Sequence, residues 1–245
     1  MAVTDLIQPV NEEGLIFAAK VLPVYMLYMF LSYKFLPGKT TKGFTTPKGD
    51  VLTYHVAGMA LFIQTTLLYF ISHVTLGFSL IPFLMYFWSF LVMATVYAFI
   101  FSLYLFFTGR ASSEYSTHPQ PWTPAWLNDF WFGPTLNPRI WGVDLKMYFY
   151  QPSLIGFILG IFAFGEYQYR EFGYLTWNMM LYQVFWWAYI FSHYWREDFM
   201  LSTWDIIAEN FGFMLVWGDM TYLPFLYSIG GWIIADMPET INGWQ

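Results

Sequence analysis

Residues 80–107 read LIPFLMYFWSFLVMATVYAFIFSLYLFF, from Leu80 to Phe107, without one Asp, Glu, Lys or Arg. A helix needs roughly 20 mostly apolar residues to cross the hydrocarbon of a bilayer. This run exceeds that, so it predicts a spanning helix long enough to tilt or to run past the lipid. Working outward, the same reading gives spans at 15–36, 55–76, 152–169, 174–194 and 211–235. The fourth is apolar only to Gly165 and ends in an amphipathic tail. The expectation is an all-α integral membrane protein of about six helices, a single transmembrane domain over 1–245.

Composition agrees. The chain is 58% hydrophobic, 24% aromatic and only 11% charged, whereas soluble domains are about 25% charged. Cys is absent, which excludes disulfides, thiolate-bound haem and Cys-bound zinc or iron–sulfur sites. A net charge of −6 argues against nucleic acid, which would need a basic face. The N-terminal stretch carries Asp5, Glu12 and Glu13 but no Lys or Arg, so it lacks the positive start of a cleavable signal peptide.

Six spans put Lys34, Lys39, Lys42, Lys48, Arg110, Arg139, Lys146 and Arg196 on one side, with Arg170 opposite. Basic residues in short loops mark the cytoplasmic face. Loops 37–54, 108–151 and 195–210 are therefore expected in the cytoplasm, and both termini outside it. The membrane is expected to be a bacterial inner membrane or one of endoplasmic-reticulum type. Trp122, Trp126, Trp131, Trp141, Trp195 and Trp204 cluster in or beside these loops, where an interfacial belt would place them. Pro119, Pro121 and Pro124 suggest a short re-entrant or surface-lying segment. Gly156 and Gly160 would let a neighbouring helix come close, and Glu166 and Arg170, four apart, would pair on one helix face as a solvated couple.

The last span carries the candidate chemistry. Asp219 lies about eight residues into it, and a carboxylate at that depth costs several kcal/mol unless paired. On a regular helix Asp219, Leu223 and Tyr227 recur at i, i+4 and i+8, so acid and phenol would share a face. Pro224 would free the carbonyl of Met220. Together they predict a polar recess, with the plainer alternative that Asp219 pairs with a cation such as Arg139. Asp205 and Glu209 are four apart at the boundary and read as a weak acid pair or a solvated helix start. His55, His73, His118 and His193 are scattered, so clustered histidine boxes for iron are lacking and no metal is expected. His193 and Glu197, at i and i+4, read as a structural pair. No G-x-G-x-x-G, P-loop or G-x-S-x-G element is present.

Three ordered blocks carry a resemblance. The first is Leu36-Pro37-Gly38-Lys39 with Gly49-x-x-Leu52-x-Tyr54. The second is Asp129-x-Trp131-x-Gly133-x-x-Leu136-Asn137-Pro138-Arg139 followed by Asp144-Leu145-Lys146. The third is Leu201-Ser202-Thr203-Trp204-Asp205-Ile206, then Phe211-Gly212-Phe213-Met214-Leu215, Gly218-Asp219 and Leu223-Pro224-Phe225-x-Tyr227-Ser228. In this order they resemble the sterol reductase family, which includes delta-14 sterol reductase, 7-dehydrocholesterol reductase and the membrane part of the lamin B receptor. Asn128, Glu209-Asn210 and Gly230 depart from the family's usual residues. The family's later blocks, on about four further spans holding most NADPH contacts, do not occur here.

The resemblance implies reduction of a C=C bond in a sterol-like lipid, by a proton from an intramembrane acid and a hydride from NADPH. By position it implies Tyr227 as the donor or its neighbour, with Asp219 shaping its proton supply. Trp217, Tyr222 and Phe225 would hold substrate. Asn137, Arg139, Asp144, Lys146, Asp205 and Glu209 would be cofactor-side or structural. NADPH would bind only with the missing half supplied. The other reading is a non-catalytic membrane subunit that binds lipid or scaffolds a complex. Partners are then membrane lipid or sterol, a separate C-terminal half, or other membrane subunits. A third reading, a small-molecule transporter, has little support, because paired broken helices and internal symmetry are lacking.

Overall fold

The computed structural model describes residues 3–46, 48–118 and 124–237. It begins with α1 (Val3–Leu6) and α2 (Glu12–Phe35), a hairpin of β1 (Lys39–Thr45) and β2 (Val51–Val56), then α3 (Gly58–Leu76), α4 (Ile81–Met85), α5 (Phe87–Arg110) and α6 (Ala125–Trp131). A two-residue pair, β3 (Arg139–Ile140) and β4 (Val143–Asp144), leads into α7 (Leu145–Phe172) and α8 (Trp177–Trp195). A 3₁₀ segment (Glu197–Ser202) and α9 (Trp204–Ile207) follow. The last stretch runs through α10 (Phe213–Trp217), a π-helix (Gly218–Leu226), a 3₁₀ turn (Tyr227–Ile229) and α11 (Gly230–Ala235).

Four of these helices are long and apolar enough to cross a bilayer: α2, α3, α5 and α7. Helix α8 and the composite last stretch make up the rest of the expected six, and their crossing stays an expectation. The apolar stretches of α2, α3 and α5 are only 17–28% buried, against 83% for α7. Helix α7 is thus the central pillar, and the others turn apolar side chains such as Val24, Leu67, Val74 and Phe107 outward. In water such a surface would drive aggregation; against acyl chains it costs nothing.

Local signals explain the ends. Asn11 Oδ1 accepts the Gly14 amide at 2.8 Å and starts α2; Glu12 and Glu13 in the first turn and Lys34 in the last suit the helix dipole. The long third span divides at Tyr86, whose backbone (φ −100°, ψ 25°) separates α4 from α5. Asp144 Oδ1 accepts from the amides of Lys146 and Met147 at 3.1 and 3.2 Å. That cap starts α7 at Leu145, seven residues before Pro152, so the end of the expected loop 108–151 is helical. Residues 37–54, read as a loop, fold mostly into the β1–β2 hairpin. The amide of Val3 donates to the Asp236 carboxylate, tying α1 to the end of α11. Of the proline-rich linker, Pro119, Pro121 and Trp122 lie outside the described residues, as does the tail from Pro238.

Glu166 and Arg170 do pair, at 2.7 Å. The carboxylate is not solvated, however: it is 8% exposed and its second oxygen accepts the Leu80 amide at 2.8 Å, linking α7 to the chain entering α4. Gly156 and Gly160 have the side chains of Tyr25 and Phe83 across from them rather than a neighbouring helix backbone. Both glycines also border a space inside the bundle.

Candidate functional site

That space is a cavity of about 470 Å³ between α2, α3, α4, α5, α7 and the π-helix. Its wall is overwhelmingly apolar, with Tyr25, Leu68, Phe83 and Leu159 among its side chains. Small-molecule sites run from about 300 to 1,000 Å³ and are built this way, with a few convergent polar groups. Asp219 is one of those groups. It is 9% exposed, lies on the wall, and makes no ion pair or hydrogen bond among the described residues.

The π-helix decides which side chains reach this cavity. Its i→i+5 winding puts more residues in each turn than an α-helix. Asp219 and Pro224, and Met220 and Phe225, are pairs five apart that line the cavity. Trp217, Tyr222 and Tyr227, again five apart, form a second row; Trp217 and Tyr222 pack at 6.1 Å, Tyr222 and Tyr227 edge-on at 5.5 Å. Tyr222 and Tyr227 are 45% and 48% exposed and neither lines the cavity. The expected shared face for Asp219 and Tyr227 is therefore not formed, because the segment is not α-helical. Of the three expected substrate contacts, Phe225 lines the cavity, while Trp217 and Tyr222 stand with Tyr227. With π bonding, the carbonyl that lacks an amide opposite Pro224 belongs to Asp219, not Met220.

Arg139 does not reach Asp219. Its guanidinium lies over the Tyr54 ring at 5.1 Å, donates to the Thr53 carbonyl at 2.8 Å and approaches Asp144 at 3.8 Å. Burial pushes the Tyr54 phenol up to about 12, with Asp144 adding to it and Arg139 opposing. Burial likewise raises the Asp144 carboxyl, against the pull of Lys146 and the helix amides. Lys146 is 1% exposed. Its ammonium donates to the carbonyls of Asp205, Ile206 and Glu209, the latter two at 3.2 and 2.8 Å. It satisfies the carbonyl end of α9, which a short helix cannot do alone.

Asp205 and Glu209 are not a pair. Asp205 Oδ2 accepts from the Tyr150 hydroxyl at 2.7 Å. Glu209 accepts from the Trp204 indole at 2.8 Å and lies 2.9 Å from His118 Nε2. His118 stacks on Phe132 at 3.9 Å. Asp129, fully buried, meets Arg110 at 3.3 Å and the Tyr115 hydroxyl at 3.1 Å. The motif of residues 129–146 is thus the knot that fixes the basic end of the bundle to the chain entering α10.

Glu197 is a group whose structural role the sequence did not show. It does not pair with His193. Its carboxylate accepts from the Gly58 amide at 2.7 Å, Gln151 Nε2 at 2.8 Å and the Tyr33 hydroxyl at 3.3 Å. It therefore caps α3 from another element. Burial pushes its carboxyl up to about 7, against these three donors.

A second hollow of about 500 Å³ opens at the same basic end, lined by Lys48, Asp50, Glu114, Asn137 and Arg139 among others. Asn137 is 7% exposed and both amide atoms lack partners. Two carboxylates share the wall with the two cations, and both cations already donate to main-chain carbonyls, Lys48 to that of Glu114 at 3.2 Å. Three phosphate groups need free cations or helix N-termini, so these residues do not fit NADPH.

The arrangement defines a class: a helical membrane protein with an apolar chamber and an unpaired acid on its wall. The particular family follows from comparison. The chain belongs to the ergosterol biosynthesis ERG4/ERG24 family, whose model matches residues 3–245. It is 34% identical over 216 residues to a delta(14)-sterol reductase of Arabidopsis thaliana, covering 86% of this chain and 58% of that protein. It is 33% identical over 211 residues to a delta(14)-sterol reductase of Methylotuvimicrobium alcaliphilum, covering 85% and 48%. It is 32% identical over 235 residues to the delta(14)-sterol reductase LBR of Gallus gallus, covering 91% and 36%. The chain spans about half the length of the curated relatives it matches.

Proposed function

We propose that this chain forms the lipid-binding and protonating part of a sterol-type C=C reductase in a membrane. The observation that carries the reading is Asp219: a buried acid without a cation, on the wall of a chamber sized for a flat apolar molecule. An isolated alkene is a weak base, so its protonation needs a well-placed acid in a dry site. Asp219 gives its proton to one alkene carbon. The chamber wall then shields the resulting cation from water until a hydride reaches it. That hydride would come from NADPH held by protein other than the described residues, because the cavity at the basic end does not suit the dinucleotide. Tyr227, in the outer row, serves as donor only where further protein covers that row. Relatives longer than this chain are consistent with such cover.

The test is reduction of a sterol diene in membranes containing the chain and NADPH, read by mass spectrometry of the product. Asp219→Asn should lower the rate at least 100-fold while sterol binding survives. An unimpaired Asp219→Asn rate sinks the assignment. A second reading, lipid binding without reduction, is favoured by the unsuitable dinucleotide cavity. It predicts saturable sterol binding, no Trp fluorescence quench on NADPH titration, and no product in any membrane supplied with NADPH.

A further inference from the structure

An acid that spends its proton must regain one before the next substrate arrives. Asp219 faces an apolar chamber, so its supply has to come through side chains. Helix α7 carries a polar stripe running from Asp205 to the chamber wall. Lys146, Tyr150 and Ser153 recur at i, i+4 and i+7 and so lie on one face. At the basic end, Lys146 grips the main chain of Asp205, and the Tyr150 hydroxyl donates to the Asp205 carboxylate at 2.7 Å. One turn further in, Ser153 lines the same chamber as Asp219, and its Oγ is buried without a hydrogen-bond partner. A serine hydroxyl left unpaired on the wall of a chamber that also carries an acid is free to accept a proton on one side and give one on the other. Asp205 is partly exposed where the bundle meets solvent.

Resting on the reading of Asp219 as proton donor, we propose that Asp205, Tyr150 and Ser153 form a relay that returns a proton to Asp219 from the basic end of the bundle. Solvent protonates Asp205. The Tyr150 hydroxyl, which otherwise donates to Asp205, turns toward Ser153 and accepts from Asp205 in its place. Tyr150 passes its own proton to Ser153, and Ser153 passes its own to the Asp219 carboxylate. Each oxygen breaks one O–H bond and forms one. One proton enters for each that Asp219 gave away, and no electron moves. Lys146 is a positioning residue here: it fixes the main chain that carries Asp205. Glu209, the other acid of that segment, is engaged with Trp204 and His118 and lies outside the path.

The test does not depend on turnover. In infrared difference spectra of the purified chain, Asp219→Asn should remove one protonated-carboxyl band. That band's shift on transfer to D₂O reports how fast protons reach Asp219. Tyr150→Phe, Ser153→Ala and Asp205→Asn should each slow the shift at least tenfold with thermal midpoint and fold retained. Tyr25→Phe, which removes a chamber phenol off the stripe, should leave it unchanged. Equal exchange rates in wild type, Tyr150→Phe and Ser153→Ala overturn the relay while leaving Asp219 as donor. Equal slowing by Tyr25→Phe overturns it too. If Asp219→Asn removes no band, Asp219 holds no proton, and the donor reading falls along with the relay.

Discussion

The ammonium of Lys146 is sunk against the main chain of Asp205, one turn before Tyr150 reaches the same residue's carboxylate. A single lysine therefore sets the position of the short helix that introduces the last stretch. Lys146→Met keeps most of the length of the side chain but leaves three carbonyls without their donor. Each buried unpaired acceptor costs about 1–3 kcal/mol. The purified variant should lose at least about 2 kcal/mol of stability, seen as a lower thermal midpoint in detergent. A midpoint equal to wild type contradicts the capping role.

Glu197 should make stability depend on pH. Its carboxyl is raised from 4.5 to about 7 in the folded chain. Between those values the folded state holds a proton that the unfolded state has lost. Stability is then greatest below about pH 4.5 and falls as pH rises toward 7, by a total of about 3 kcal/mol, levelling off above. Thermal unfolding across this window should show the fall, and Glu197→Gln should flatten it. A Glu197→Gln profile as steep as wild type assigns the dependence elsewhere.

Gly133 and Gly212 touch through their backbones. Gly133 has φ +101°, and a methyl group there would stand 2.3 Å from the Phe211 carbonyl; one on Gly212 would stand 2.2 Å from the Gly133 nitrogen. Neither neighbour is a flexible side chain. Ala at either position should cost at least about 2 kcal/mol and displace the start of α10. Limited proteolysis between residues 205 and 213 should accelerate in both variants; unchanged cleavage argues that the contact is dispensable.

Filling the chamber separates binding from folding. Leu in place of Gly156 or Gly160 projects into the space beside Tyr25 and Phe83. Sterol affinity should fall at least tenfold in either variant, with the fold kept and stability lowered by no more than about 3 kcal/mol. Retained affinity places the ligand elsewhere, and the outer row of Trp217, Tyr222 and Tyr227 becomes the surface to probe next.

The sequence exposed the outer helices well, since α2, α3 and α5 carry few charged side chains and turn apolar ones outward. It also picked out residues 129–146 as unusual, because charges are rarely kept in so greasy a chain without partners. The start of α7 was hidden: Pro152 reads as a helix start, but the Asp144 cap eight residues earlier wins. The roles of Lys146 and Glu197 were hidden too, because both satisfy backbone groups of elements far off in sequence. The separation of Asp219 from Tyr227 was the least legible feature. Helix periodicity assumes 3.6 residues per turn, and nothing in the residue types of 218–226 announces a wider winding.

That winding has a reach beyond the chamber. Removing one residue between Gly218 and Leu226 would let the stretch relax to ordinary winding, and everything after it would turn by some tens of degrees. Tyr227 and the whole of α11 would then face new neighbours, although no side chain of theirs had changed. The stretch sets the phase of the chain that follows it. Among homologues, a one-residue gap at this place would mark a protein whose inward and outward rows have been re-dealt.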